Sequence, residues 1–272
     1  MKKPNIPTQY HFFQNGKNEK IDAHLPTEAP VSLTVNGEAW LTFMCTPSLL
    51  EALAIGFLFN EDIIKNFDEV ADVRVCEHGD NVDVWLNHAA EKPKKWTRTS
   101  GCTGGMTSID ASTQFSAGTH ASHGLARQQN GVMLSPKDIP LLLKMLDENQ
   151  TLYRQSGGIH TSVLTDGEKV LAAAEDIGRH NTLDKIAGQM LMGGITPKTI
   201  MILTTGRISS EMMQKAIRLG VSVVISRTSP SSMSVELAEQ QGITLIGYAK
   251  RHRFNLYTHP ERITSVEKEK EI

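Results

Sequence analysis

Long apolar runs, paired cysteines, net charge and aromatic side chains are all scarce in this 272-residue chain. No stretch approaches the ~18 consecutive apolar residues of a membrane-spanning helix. The opening Met1-Lys2-Lys3-Pro4-Asn5 leads into polar residues rather than an apolar signal segment. A cytoplasmic protein with no membrane association is expected. The three cysteines, Cys45, Cys76 and Cys102, are odd in number and widely spaced, which excludes a disulfide framework and any paired zinc-ligand spacing. A cysteine with chemistry to do is then a free thiol. A formal net charge of -2 supplies no field for nucleic acid or an anionic membrane, so neither is expected as a partner. Neither G-x-G-x-x-G nor G-x-x-x-x-G-K-[ST] occurs, and a standard dinucleotide fold or P-loop is not indicated. What remains, 39% hydrophobic and 21% charged, is a soluble globular composition. The length suits two domains better than one.

Residues 1–27 are polar and turn-rich, and an extension with little structure of its own is expected there. A small N-terminal α+β domain follows over 28–130. Val31, Leu33 and Val35 alternate before the hairpin turn Asn36-Gly37, and Leu41 and Phe43 alternate after it. Thr46-Pro47 reads as an N-cap with proline at the first helical position, opening a helix through about Phe59. The alternating runs Val70 to Cys76 and Val82 to Leu86 flank Gly79-Asp80-Asn81. From 97 to 130 the chain is built from Ser, Thr, Gly, Ala, His and Gln without periodicity, a long loop of the kind that is functional or disordered. A second, α/β domain over 131–272 begins with a helix from Ser135-Pro136-Lys137-Asp138, a possible capping box, to about Glu148. Strands near 160–165, 169–174, 199–204, 221–226 and 243–248 then alternate with helices at 180–192, 209–218 and 231–240. That alternation argues a three-layer αβα sandwich with its later strands parallel.

The run Glu175-Asp176-Ile177-Gly178-Arg179-His180-Asn181-Thr182-Leu183-Asp184-Lys185 crowds ionisable and amide side chains around one glycine where a strand hands over to a helix. Unpaired N–H groups and the positive end of the dipole gather at such a junction. Gly178 could let an anion approach, with Arg179 and His180 as further donors; the alternative is a capped helix with surface ion pairs. Three more segments follow strands: Thr204-Thr205-Gly206-Arg207, Ser226 to Ser232, and Gly247-Tyr248-Ala249-Lys250-Arg251-His252-Arg253. They suit a phosphate-bearing ligand, with Tyr248 available to a base, or they are ordinary caps and a basic turn. Cys102, in Ser100-Gly101-Cys102-Thr103-Gly104-Gly105, lies downstream of Lys92, Lys94, Lys95 and Arg98. An accessible thiol near positive charge suits a group carrier, unless it is an incidental loop cysteine. Cys45 and Cys76 read as packing residues.

The run 175–185 resembles the signature E-D-V-G-R-H-N-A-x-D-K of the FdhD/NarQ family, the formate dehydrogenase accessory sulfurtransferases. The resemblance continues in order through Asn36-Gly37-Glu38, Met44-Cys45-Thr46-Pro47, Gly56-Phe57-Leu58, Ser100-Gly101-Cys102, Gly157-Gly158-Ile159-His160, Thr205-Gly206-Arg207-Ile208-Ser209, Ser229-Pro230 and Tyr257-Thr258-His259-Pro260, covering roughly residues 28 to 263. The element order also resembles the cytidine-deaminase-like fold. Those zinc hydrolases place H-x-E and P-C-x-x-C at two helix starts, where this chain has Gly178-Arg179-His180-Asn181 and Thr205 to Ser209; a catalytic zinc is not expected.

Family resemblance implies that Cys102 accepts persulfide sulfur from a cysteine desulfurase. The sulfur then passes to the molybdenum bis-guanine-dinucleotide cofactor destined for the catalytic subunit of a formate dehydrogenase. On the same resemblance Tyr248, Ala249, Lys250, Arg251, His252 and Arg253 contact that cofactor. Gly158, His160, Gly178, Arg179, His180 and Arg207 line its site, and the protein is a homodimer. A different reading is a non-catalytic chaperone that delivers the finished cofactor. The usual family motif is C-G-x-C-G, and here Gly105 stands where the second cysteine would be, so any dithiol step is removed while transfer through a single sulfur stays complete.

Overall fold

The computed structural model describes residues 2–94, 97–98, 106–107, 132–196 and 199–264. The stretch expected to be an unstructured extension is instead a hairpin of β1 (Asn5–Gln14) and β2 (Lys17–Pro26). Ile6, Thr8, Tyr10 and Phe12 alternate along β1. Asn15 (φ 50) and Gly16 (φ 77) take the positive-φ positions of a two-residue turn whose twist matches the strands.

β3 (Ala29–Val35) and β4 (Glu38–Cys45) form the hairpin anticipated around Asn36 (φ 49) and Gly37 (φ 83). The next helix, α1 (Leu50–Asn60), begins later than the Thr46-Pro47 signal indicates, with Leu49 (φ 52) at its N-cap and no side-chain cap. Thr46 is not free to cap it. Its amide donates to the Asp176 carboxylate (3.0 Å) and its hydroxyl accepts from the Ile177 amide (3.1 Å). A 3-10 turn at Phe67–Glu69 leads into β5 (Val70–Val75) and β6 (Asn81–Leu86), completing a four-stranded sheet of order β4-β3-β6-β5. The short β7 (Thr97–Arg98) and β8 (Met106–Thr107) pair with each other.

α2 (Asp138–Glu148) ends where expected, but its N-cap is Lys137 without a side-chain cap. Only the reverse half of the capping box is present, the Ser135 amide donating to Asp138 (2.7 Å). α3 (Thr151–Ser156) follows, then β9 (His160–Thr165), β10 (Val170–Asp176), α4 (Arg179–Met192), β11 (Met201–Thr204), α5 (Ser210–Arg218), β12 (Val223–Ser226), α6 (Ser232–Gln240), β13 (Thr244–Lys250) and β14 (Arg253–Leu256). Strand order in this sheet is β10-β9-β11-β12-β13-β14, with β11, β12 and β13 parallel. The fold is the mixed α/β arrangement expected, and the sandwich order agrees with a cytidine-deaminase-like architecture.

Two compact units interleave along the chain, rather than meeting once near residue 130. One draws on 1–108, 150–161 and 174–193, and the other on 109–149, 162–173 and 194–272. In the first, α1 is buried along nearly its whole circumference and packs on α4. Their backbones touch. A Cβ on Gly56 would overlap the Asp184 carbonyl oxygen, and one on Gly188 the Ala52 carbonyl oxygen. In the second unit, Ile139, Leu142, Leu143 and Leu146 of α2 cover Met201, Leu203, Val223, Ile225 and Ile246 on one face of the sheet. Ile202, Val224 and Leu245, the alternate residues, are equally buried on the other face, where α6 meets β13 and lies beside α5. No helix among the described residues is long and apolar enough to cross a membrane.

Candidate functional site

At the β10–α4 junction the first unit resolves the roles of the polar run. The Asp176 carboxylate accepts from the Gly178 amide (2.8 Å), Asn181 Nδ2 (2.9 Å), the Thr46 amide (3.0 Å) and Lys185 Nζ (2.6 Å). An anion therefore already sits at the start of α4, and it is the chain's own. Gly178 is needed for that packing: a Cβ there would meet Asn181 Nδ2 at 2.9 Å and Asp176 Oδ1 at 3.3 Å, so the space it leaves is filled by these two side chains. Lys185, 0% exposed, also donates toward the Thr46 carbonyl (3.0 Å), the Glu175 carbonyl (3.2 Å) and Ser48 Oγ (3.3 Å). Glu175 accepts from the Leu152 (2.7 Å) and Tyr153 (3.0 Å) amides at the start of α3, and from the Thr161 hydroxyl (3.3 Å). Asp184 accepts from Asn60 Nδ2 (2.7 Å), fastening α4 to α1. The surface ion pairs of the alternative reading are thus a buried network. Arg179 and His180 of the same run are buried as well.

His160 belongs to the same unit. Gly157 (φ 63, ψ -172) and Gly158 (φ 63) lead into it, and Gly157 takes a backbone conformation open to glycine alone. Burial holds the His160 imidazole below its ordinary value of 6.5, the Arg179 guanidinium pushes it the same way, and the Asp176 carboxylate partly offsets both. His160 is then neutral at pH 7, a hydrogen-bonding group rather than a cation for phosphate. Because the folded pKa lies below the unfolded one, its contribution to stability is intact above pH 6.5. It is lost as pH falls toward the folded value, where the unfolded chain takes a proton that the folded chain resists. His160→Gln should therefore lose less stability between pH 7.5 and pH 5.5 than wild type, read as urea midpoints. Equal losses would show that His160 titrates the same way folded and unfolded.

In the second unit, the loops leaving β11, β12 and β13 are tied together at the carboxyl ends of those strands. Ser226 Oγ donates to the Gly206 carbonyl (2.7 Å), the Ile208 amide to the Ser229 carbonyl (3.1 Å) and the Tyr248 amide to the Thr228 carbonyl (3.0 Å). Ser209 and Ser231 cap α5 and α6 there. Gly247 is needed because a Cβ would meet Tyr257 at 2.9 Å and the Thr228 carbonyl oxygen at 3.0 Å. Tyr248, φ 50 and 48% exposed, stands at the irregularity between Gly247 and Lys250. Arg207, Lys250, Arg251, His252 and Arg253 are exposed, while Ala249 turns into the core, so its contribution to a ligand is through its backbone. Exposed guanidinium and ammonium groups beside an exposed ring, at the carboxyl ends of parallel strands, fit a phosphate-bearing nucleotide.

Among the cysteines, Cys45 is buried, and its thiol is pushed up to about 12 by burial first and then by the Asp176 carboxylate. It packs, as expected. Cys76 sits just beyond β5 in the turn to β6 rather than in a strand, its Sγ donating to Asp80 (2.9 Å) and accepting from the Asn81 amide (3.2 Å). Cys102 lies outside the described residues.

Comparison with known proteins places this geometry. The FdhD/NarQ family profile matches residues 26–264. The chain is 34% identical over 251 residues to sulfur carrier protein FdhD of Bacillus subtilis (strain 168), covering 92% of this chain and 94% of that protein. It is 32% identical to the protein of the same name from Staphylococcus aureus (strain MRSA252), covering 94% and 95%. A crystal structure from Desulfotalea psychrophila, provisionally described as a formate dehydrogenase accessory protein, superposes with a TM-score of 0.74 at 26% identity, covering 96% of this chain and 99% of that one.

Proposed function

Since the chain belongs to the FdhD/NarQ family, we propose that it is a cytoplasmic sulfur carrier, a sulfurtransferase that serves the maturation of a formate dehydrogenase. Its thiol is Cys102. The observation that carries this is the state of the other two sulfurs: Cys45 is buried with its pKa at about 12, and Cys76 is engaged on both sides in a turn. A thiolate is the nucleophile in sulfur exchange, which burial denies to Cys45, while the Cys76 sulfur is held in its turn by Asp80 and Asn81. In loading, the Cys102 thiolate attacks the outer sulfur of a desulfurase persulfide, the S–S bond breaks, and the desulfurase thiolate leaves. The acceptor is the molybdenum bis-guanine-dinucleotide cofactor, bound as substrate before it enters the catalytic subunit. Arg207, Lys250, Arg251 and Arg253 would hold its phosphates, with Tyr248 against a base.

Incubation with a cysteine desulfurase and cysteine, followed by intact-mass analysis, should add labile sulfur to wild type and to Cys45→Ala but not to Cys102→Ala. The doubly substituted Lys250→Ala/Arg253→Ala should still load and yet fail to activate the client. Persulfide on Cys102→Ala would remove the assignment. Equal client activation by Cys102→Ala and wild type would favour a chaperone that delivers the finished cofactor.

A further inference from the structure

The loops at the carboxyl ends of β11, β12 and β13 run from Thr205 to Ser209, from Arg227 to Ser231 and, past the β13 irregularity, from Gly247 to Arg253. They carry Arg207, Arg227, Lys250, Arg251 and Arg253, and not one Asp or Glu. A carboxylate is nevertheless brought to them. Asp147, in the last turn of α2, pairs through Oδ1 with Nη2 of Arg227. This pair is poorly suited to mere fastening of α2. Negative charge is disfavoured at a helix C-terminus, and the last turn of α2 holds no basic residue to relieve it. Arg and carboxylate commonly join by two parallel bonds, whereas here one guanidinium nitrogen meets one carboxylate oxygen, and the Arg227 Nε is buried without a hydrogen-bond partner. Both side chains stay open to a ligand, Arg227 at 37% exposure and Asp147 at 39%. Arg227 also adjoins Thr228, whose carbonyl accepts from the Tyr248 amide (3.0 Å), so the carboxylate is joined to the loop that holds the exposed Tyr248.

We propose that Asp147 is the residue that selects guanine, its carboxylate accepting from the base while Arg227 holds it in place. The inference rests on the nucleotide site proposed above and adds what makes that site specific. Charge decides which part of the ligand the acid meets. Phosphates are repelled by a carboxylate and belong with Arg207, Lys250, Arg251 and Arg253, so Asp147 is left to a part that offers donors. Guanine alone among the common bases presents two adjacent donors on one edge, N1–H and the 2-amino group, which match the two oxygens of one carboxylate. Adenine places its N1 acceptor beside its amino group, and a carboxylate set against that edge faces a lone pair. A buried or half-buried acceptor that a wrong base leaves unpaired is what gives such a site its discrimination.

Calorimetry of the full chain with GDP, ADP and xanthosine diphosphate tests this. Wild type should bind GDP about ten-fold or more tightly than ADP. In Asp147→Asn the side chain keeps an oxygen for Arg227 but presents an amide N–H to position 2 of the base, where guanine has an amino group and xanthine a carbonyl oxygen. GDP should then weaken about ten-fold or more while xanthosine diphosphate binds more tightly than it does to wild type. A loosened fold would lower both affinities, so shifts in opposite directions separate recognition from a structural role. Glu148→Gln, a change at the neighbouring acid, should alter none of the three. Equal binding of GDP and ADP by wild type, or an Asp147→Asn variant in which both guanine and xanthine nucleotides weaken or neither changes, would overturn the assignment and leave the nucleotide site standing. A wild type that binds none of the three would overturn that site and this inference with it.

Discussion

Gly188→Leu is expected to leave no cooperatively folded protein, and even Gly188→Ala should lower stability by about 3 kcal/mol or more. At an exposed helical position, replacing glycine by alanine gains roughly 0.5–1 kcal/mol, so the expected sign is reversed. The cause is the α1–α4 crossing, where each helix lays a glycine against the other's backbone: Gly188 on the Ala52 carbonyl and Gly56 on the Asp184 carbonyl. Backbone atoms cannot swing aside as a side-chain tip can. Relief requires the helices to separate, which opens space beside Leu53, Ile55, Phe57 and Ile186, all essentially unexposed. Interiors pack closely, and a domain's whole stability is about 5–15 kcal/mol, so a bulky side chain consumes most of the margin. Guanidinium midpoints for wild type and Gly188→Ala check this. A variant as stable as wild type would mean that the crossing is looser than described.

Lys185→Met should cost about 3–5 kcal/mol, because it leaves the Asp176 carboxylate buried with its cation gone and deprives the Thr46 and Glu175 carbonyls of a donor. Asp176→Asn should be costly for the mirror reason. In the double variant Lys185→Met/Asp176→Asn the penalties should not add, since the second change removes the charge that the first has orphaned. Thermal melts of the four proteins give the coupling. Strict additivity would show that the pair is not the unit of stability. Lys185 belongs to the signature run, so a variant that merely lost sulfur transfer at full stability would also contradict this account.

Local signals located most of the second unit. Apart from β14, which no local signal announces, its strands and helices lie within a few residues of the expected positions, because each carries its own periodicity. Asn15-Gly16 is the same turn signal as Asn36-Gly37, but Gln9, His11, Asn18 and Lys20 on the polar side dilute the alternation of Ile6, Tyr10 and Phe12. Thr46 looks like an N-cap in sequence because its actual partners, Asp176 and Ile177, stand 130 and 131 residues away. A cap written locally yields to a stronger distant pairing. The division of labour within the signature is likewise invisible to residue type. Lysine is almost never fully buried, yet Lys185 is, and only the fold shows that Asp176, Asn181, Asp184 and Lys185 hold the junction together. The exposed basic turn at Lys250 to Arg253, by contrast, could be read directly, since a hairpin tip presents whatever it carries.

The interleaving of the two units has a consequence for biosynthesis. The first unit is not closed until α4 has been made, so α1, ending at Asn60, must wait for a partner that ends at Met192. At the usual ~5–20 residues per second, that delay is roughly 7–26 s. For that time a helix whose residues are almost all destined for the interior hangs on an unfinished chain, the window in which a holding chaperone would matter most. A fragment ending near residue 130 would remain in that state permanently, and neither unit can be obtained by a single cut.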